Sequence, residues 1–114
     1  MHELSIVASL YEILEEKVNE QKAKSITKVK LQVGVLSGVV PEFLESAFEI
    51  FKKDTLASEA SLEIVKVPLK IKCRNCQSET TSDKMAFLCP ECGSHNIEIL
   101  SGKELILETL ELSF

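Results

Sequence analysis

Cys73-Arg74-Asn75-Cys76, followed after twelve residues by Cys89-Pro90-Glu91-Cys92-Gly93, is the stretch on which the reading of this 114-residue chain turns. Two Cys-x-x-Cys pairs at this separation are close to the spacing of four-cysteine zinc sites. Each pair sets two thiolates at the tip of a tight turn, and two such turns supply the corners of a tetrahedron around one ion. Pro90 stiffens the second turn, and Gly93 follows it where a backbone often takes positive φ. Disulfides, a redox dithiol and a rubredoxin-like iron centre are the alternatives. Disulfides suit poorly a chain expected in a reducing, cytoplasmic compartment. Redox chemistry would want one pair opening a helix of a βαβ unit. Iron shares the Cys-Pro-x-Cys-Gly turn, but the chain has no Trp, one distant Tyr and only Phe87 nearby. Zinc is the favoured ion. With four protein ligands the site has no open position, so its role is structural rather than catalytic. The segment 71–102 is too short to fold on apolar burial alone, and metal binding of about 10 to 16 kcal/mol can supply what is missing.

Outward from the cysteines the chain reads as an α+β protein. Over 3–24, Leu4, Val7, Tyr11, Leu14 and Val18 recur at spacings of three and four among glutamates, which predicts an amphipathic helix. Glu3 near its start and Lys22 and Lys24 near its end suit the helix dipole. Over 27–35, Thr27, Val29, Leu31, Val33 and Val35 alternate with polar residues, the period of a half-exposed strand. Pro41 opens a second helix running to about 54, with Leu44, Ala47, Phe48 and Phe51 on one stripe. Residues 61–69 and 104–114 read as further strands, each with a switch of apolar parity that leaves its facing open. Pro68 and Gly102 mark the crossings to the cysteine segment. The expected fold is therefore two helices on a small three-stranded sheet, interrupted by a zinc-ribbon-like four-cysteine module. Its domains are 1–70 with 103–114, and 71–102.

Charge and composition narrow the function. Thirteen Lys and Arg against eighteen Asp and Glu give a net charge of −5, unfavourable for a nucleic-acid partner. Between Val65 and Gly102 five basic residues face four acidic ones, and a four-thiolate zinc centre adds two negative charges. No run approaches a membrane-spanning length, so no membrane partner is expected. Neither a nucleophile elbow nor a Gly-rich phosphate loop is present, and no enzymatic activity is expected. The remaining candidates are the two histidines. His95, three residues past Cys92, is a thiolate hydrogen-bond partner, a reserve ligand for a displaced sulfur, or an exposed turn residue. His2 is bulky enough to preserve Met1, so the Met1 amine, the His2 amide nitrogen and the His2 imidazole lie within one dipeptide. A planar nitrogen set of that kind suits Ni(II) or Cu(II). The alternative is a helix-starting histidine that faces water.

Several of these segments together resemble one family. Met1-His2-Glu3 with Ser5, Val33-Gly34-Val35-Leu36-Ser37, Ser46-Ala47-Phe48-Glu49, the paired Cys-x-x-Cys and Gly102-Lys103-Glu104-Leu105 are similar, in this order, to the HypA/HybF hydrogenase nickel-incorporation proteins. The resemblance spans the whole chain. It implies a non-enzymatic metallochaperone that carries Ni(II) at its N-terminus, with Met1 and His2 forming the nickel cage. Glu3 is implied as a nickel-site residue or as the adjacent acidic group. Cys73, Cys76, Cys89 and Cys92 would hold zinc. The implied partners are a nickel-binding maturation GTPase, the [NiFe]-hydrogenase large subunit and, in some bacteria, urease accessory proteins. Some members carry a histidine beside each cysteine pair, whereas Gln77-Ser78-Glu79 follows the first pair here. The competing class is a zinc-ribbon adaptor for nucleic acid or for the transcription or translation machinery.

Overall fold

A computed structural model describes residues 3–114; the Met1 and His2 expectations lie outside the described residues. The order of elements is α1 (Glu3–Gln21), β1 (Ser25–Gly34), α2 (Pro41–Phe51), β2 (Ser61–Val67), β3 (Leu69–Cys73), β4 (Glu79–Ser82), β5 (Ile97–Ser101) and β6 (Leu105–Ser113). Two three-stranded sheets result, in the orders β2-β1-β6 and β4-β3-β5. The first is the expected sheet. The second was not foreseen, because its strands are four or five residues long and mostly polar on one face, too short for periodicity to register. The stretch read as one strand over 61–69 is broken at Pro68 into β2 and β3, which belong to different sheets. Lacking an N–H, Pro68 cannot continue a ladder, and the change of apolar parity at Ile64 and Val65 falls just before this break.

Contacts divide the chain into two compact units. One comprises the described residues up to Leu31 with Val39–Val65 and Leu107–Phe114; the other comprises Gln32–Gly38 with Lys66–Ile106. The second is broader than 71–102 because the strap after β1 is hydrogen-bonded into it. The Gly34 N–H donates to the Glu104 carbonyl at 2.7 Å, Val35 to Val67 at 3.0 Å and Leu36 to Gly102 at 2.6 Å. Gly34 is required by space: a Cβ there would collide with the Gly102 carbonyl and lie 2.7 Å from the Glu104 nitrogen.

In the first unit the core forms between the helices and the central strand. Val7, Leu10, Leu14 and Val18 of α1, Leu44, Ala47 and Phe48 of α2, and Ile26, Val29 and Leu31 of β1 are buried. A fully buried side chain of this size contributes about 1.5–3 kcal/mol. Tyr11 packs at 5.5 Å against the Phe51 ring, and its hydroxyl accepts the Leu56 N–H at 3.1 Å. Two details of α1 depart from expectation. Leu4, assigned to the apolar stripe, is 55% exposed, and Leu10 takes a core position. The helix also ends at Gln21, so Lys22 and Lys24 lie past its last turn. Lys22 adopts φ 55° and Ala23 donates back to the Val18 carbonyl at 3.0 Å, a left-handed stop usually made by glycine.

α2 starts as predicted, with Pro41 inside its first turn, but it ends at Phe51 rather than 54. In β1, the one strand of this sheet paired on both sides, the expected alternation holds over 29–33, but at its start Ile26 is buried and Thr27, expected on the apolar face, is exposed. β2 and β6 are edge strands with no fully buried residue, which is why their apolar parity did not settle their facing.

Candidate metal centre

β3 carries Cys73 at its end, pairs antiparallel with β4 and β5, and sets Cys73 opposite Ile97. From there the backbone makes a tight knuckle. The Gln77 N–H donates to the Cys73 carbonyl at 2.9 Å, and the Cys73 N–H donates to the Ser78 carbonyl at 2.9 Å. Sixteen residues later the pattern repeats: Gly93 donates to Cys89 at 2.8 Å, and Cys89 donates to Ser94 at 2.9 Å. Gln77 and Gly93 hold corresponding positions with φ of 67° and 75°. The positive φ anticipated at Gly93 is present. Its twin at Gln77 was missed, since nothing but position relative to the cysteine pair signals it.

The two knuckles bring four sulfurs together. All four Sγ atoms lie within 4.8 Å of one another, with Cys73 3.6 Å from Cys92 and Cys76 3.6 Å from Cys89. A regular tetrahedron with metal–sulfur bonds of about 2.3 Å has edges of about 3.8 Å, so the donor set fits one tetrahedrally bound soft or borderline ion. Cys73 and Cys89 are buried, whereas Cys76 and Cys92 reach the surface. The group is therefore anchored on one side and reachable on the other.

Its electrostatics call for a cation. The Ser78 hydroxyl and then the Cys92 N–H hold the Cys89 thiol down to about 6. The Cys76 N–H lowers Cys73 as well, donating to its sulfur at 3.4 Å. Cys92 goes the other way. Although the Ser94 N–H pulls it down, burial and the neighbouring sulfurs of Cys73 and Cys76 push it up to about 11. Four thiolates at these distances repel one another, and a divalent ion eases the conflict by offsetting half of their charge.

The other candidates fall elsewhere. His95 is exposed and does not belong to the four-sulfur group; its carbonyl accepts the Ile97 N–H at 2.9 Å. Glu3 is only 6% exposed, and its Oε2 accepts the Val40 N–H at 3.3 Å. Its own backbone N–H, and then that of Val40, hold its carboxyl below the usual carboxylate range. Sequence reading also missed Ser78, whose hydroxyl lies 3.1 Å from the Cys76 sulfur and 3.4 Å from that of Cys89, and Asn75, whose amide lies 3.8 Å from the Cys92 sulfur. Among the described residues, no helix is long and apolar enough to cross a membrane.

The fold has counterparts. Residues 1–112 match the family model described as "Hydrogenase/urease nickel incorporation, metallochaperone, hypA". The chain belongs to the HypA family. Among curated relatives, "Hydrogenase maturation factor HypA" of Aquifex aeolicus is 48% identical over 112 residues, covering 98% of this chain and 97% of the relative. The protein of the same name from Shewanella oneidensis is 42% identical, covering 98% and 95%. The solution structure of the Ni metallochaperone HypA from Helicobacter pylori superposes with a TM-score of 0.69 at 31% identity, covering 99% of this chain and 98% of that one. As a HypA protein, this chain is a nickel metallochaperone of hydrogenase or urease nickel incorporation, a maturation factor and not an enzyme. The zinc-ribbon adaptor reading is not favoured.

Proposed function

We propose that the chain carries one Ni(II) at its N-terminus and delivers it during maturation of a [NiFe]-hydrogenase, while a structural zinc occupies Cys73, Cys76, Cys89 and Cys92. The observation that supports this most directly is the family match, which runs from the first residue through both cysteine pairs. The Met1 amine, the nearby backbone nitrogens and the His2 imidazole form the nickel cage. Such a nitrogen set suits planar Ni(II), whereas four sulfurs suit tetrahedral zinc, so each ion is sorted by ligand type and geometry. Glu3 completes this end as the adjacent acidic residue, its carboxylate held against the Val40 N–H. The nickel part is centred on 1–70 with 103–114 and the zinc part on 71–102, although 32–38, 66–70 and 103–106 pack with the latter. The partners are a nickel-binding maturation GTPase and the hydrogenase large subunit, with urease accessory proteins where urease is served. Neither nucleic acid nor a membrane is a partner, and the site of action is the cytoplasm.

The test is a nickel titration of untagged, zinc-loaded protein beside His2→Ala, following the absorption of planar Ni(II) and counting metals by mass spectrometry. The wild type should take one nickel beside one zinc, and the variant only zinc. Equal nickel uptake by both, or by neither, would remove the N-terminal assignment.

A further inference from the structure

The two knuckles are built alike, yet their serines are used differently. Ser78 and Ser94 each stand two residues after the second cysteine of a pair, and each accepts the N–H of that pair's first cysteine through its carbonyl, at 2.9 Å. Their hydroxyls diverge. Ser94 Oγ accepts the Asn96 N–H at 3.0 Å, closing the turn that leads into β5. Ser78 Oγ instead sits 3.1 Å from the Cys76 sulfur and 3.4 Å from the Cys89 sulfur, between one ligand of each knuckle.

We propose that Ser78 is a positioning residue of the metal centre, its single hydroxyl proton shared between the metal-bound sulfurs of Cys76 and Cys89 and so strengthening the hold on the ion. The inference rests on the reading of the four sulfurs as a metal site. Metal-bound thiolates only accept, so in the loaded protein the hydroxyl proton can go to nothing else in this pair of contacts. A divalent ion with four thiolates leaves a net charge of minus two, and a donor beside two of the four sulfurs draws off part of it. The contact also spans the knuckles. It ties exposed Cys76 to buried Cys89, holding the more accessible ligand against the anchored one. Outer partners of this kind typically alter metal affinity by about tenfold to a hundredfold.

The experiment uses the full chain with Co(II) in place of zinc, because sulfur-to-cobalt charge-transfer absorption reports the electron density on the thiolates. Wild type should bind one Co(II) with a tetrathiolate spectrum. Ser78→Ala should move the charge-transfer band to lower energy and lower the Co(II) affinity, read by competition with a chelator, about tenfold to a hundredfold. Ser78→Thr keeps the hydroxyl and should restore both readouts, also if the alanine variant binds no cobalt at all. Ser94→Ala should keep the wild-type spectrum. An unchanged Ser78→Ala, a threonine variant as impaired as the alanine one, or an equal band shift in Ser94→Ala overturns the assignment. A wild type without a tetrathiolate cobalt spectrum would instead overturn the metal reading itself, and this inference with it.

Discussion

Gln77 and Gly93 stand at the same step of two successive knuckles and share one left-handed backbone conformation, φ 67° and 75°. Only one of them is a glycine. A Cβ at position 93 would meet nothing within 4 Å, so the cost of a side chain there is torsional rather than steric. An L-residue in this region is disfavoured by about 1–2 kcal/mol. Gly93→Ala should therefore lower the stability of the metal-loaded protein by about that amount. Gln77→Gly should leave it unchanged or raise it by up to about 1 kcal/mol, because relief of the left-handed strain is offset by greater freedom in the unfolded chain. Thermal unfolding of the two variants beside wild type gives both signs.

Gly34 presents the opposite case, in which space rather than backbone conformation demands glycine. Gly34→Ala would push its methyl group into the Gly102 carbonyl and close to the Glu104 nitrogen, and backbone cannot swing aside as a side chain can. A loss of about 3 kcal/mol or more is expected. Gly38→Ala is the control, since that position has open space and positive φ. It should cost only about 1–2 kcal/mol. Denaturant midpoints of the two variants should fall in that order.

Acid should loosen the cysteine site from the side of Cys89. Its folded value of about 6 lies below the ordinary thiol value of 9.0. The stabilisation linked to this thiolate is therefore complete above pH 9, declines as pH falls, and is gone once pH passes below about 6. Without its ion the segment loses the fold that holds these values apart, so metal binding at pH 7 should release protons as the cysteine thiols become metal-bound thiolates. Calorimetric titration in two buffers of different ionisation enthalpy counts those protons. A Cys92→Ser variant releasing as many as wild type would contradict the assignment.

Removing the metal should act on one part of the chain. A strong chelator is expected to expose β3, β4 and β5 to rapid amide exchange, since the sheet β4-β3-β5 carries few buried apolar residues beyond Leu69 and Ile71. The helical signal of α1 and α2 should persist, because their core of Val7, Leu14, Leu44 and Phe48 contains no ligand. Exchange mass spectrometry before and after chelation distinguishes this outcome from collapse of the whole chain.

What could be read from the residues depended on how many neighbours each element has. β1 is paired on both sides, so its alternation was legible over 29–33 but not at its start, where Ile26 rather than Thr27 is buried; β2 and β6 are edges, where half-burial blurs the pattern. The helices showed their apolar stripes, but Leu4 and Leu10 exchanged roles because two residues six positions apart both fit the periodicity roughly. The gathering of the four cysteines into one group was plain from spacing alone. Ser78 was not, because a serine after a cysteine pair has no signature; its twin Ser94 has the same sequence position and a different hydrogen bond. β3, β4 and β5 were hidden by their shortness and by Pro68, which falls inside what reads as one continuous strand.

The cross-knuckle pairing of sulfurs, Cys73 with Cys92 and Cys76 with Cys89, has a polymer-physics consequence. An ion held there is a cross-link between two short stretches of chain, closing the loop between them. A covalent bridge over a loop of about fifteen residues restricts the unfolded chain by about 3 kcal/mol. A coordinated ion imposes a similar restriction but remains exchangeable, so the same staple can be opened by a competing ligand and closed again without oxidant or reductant.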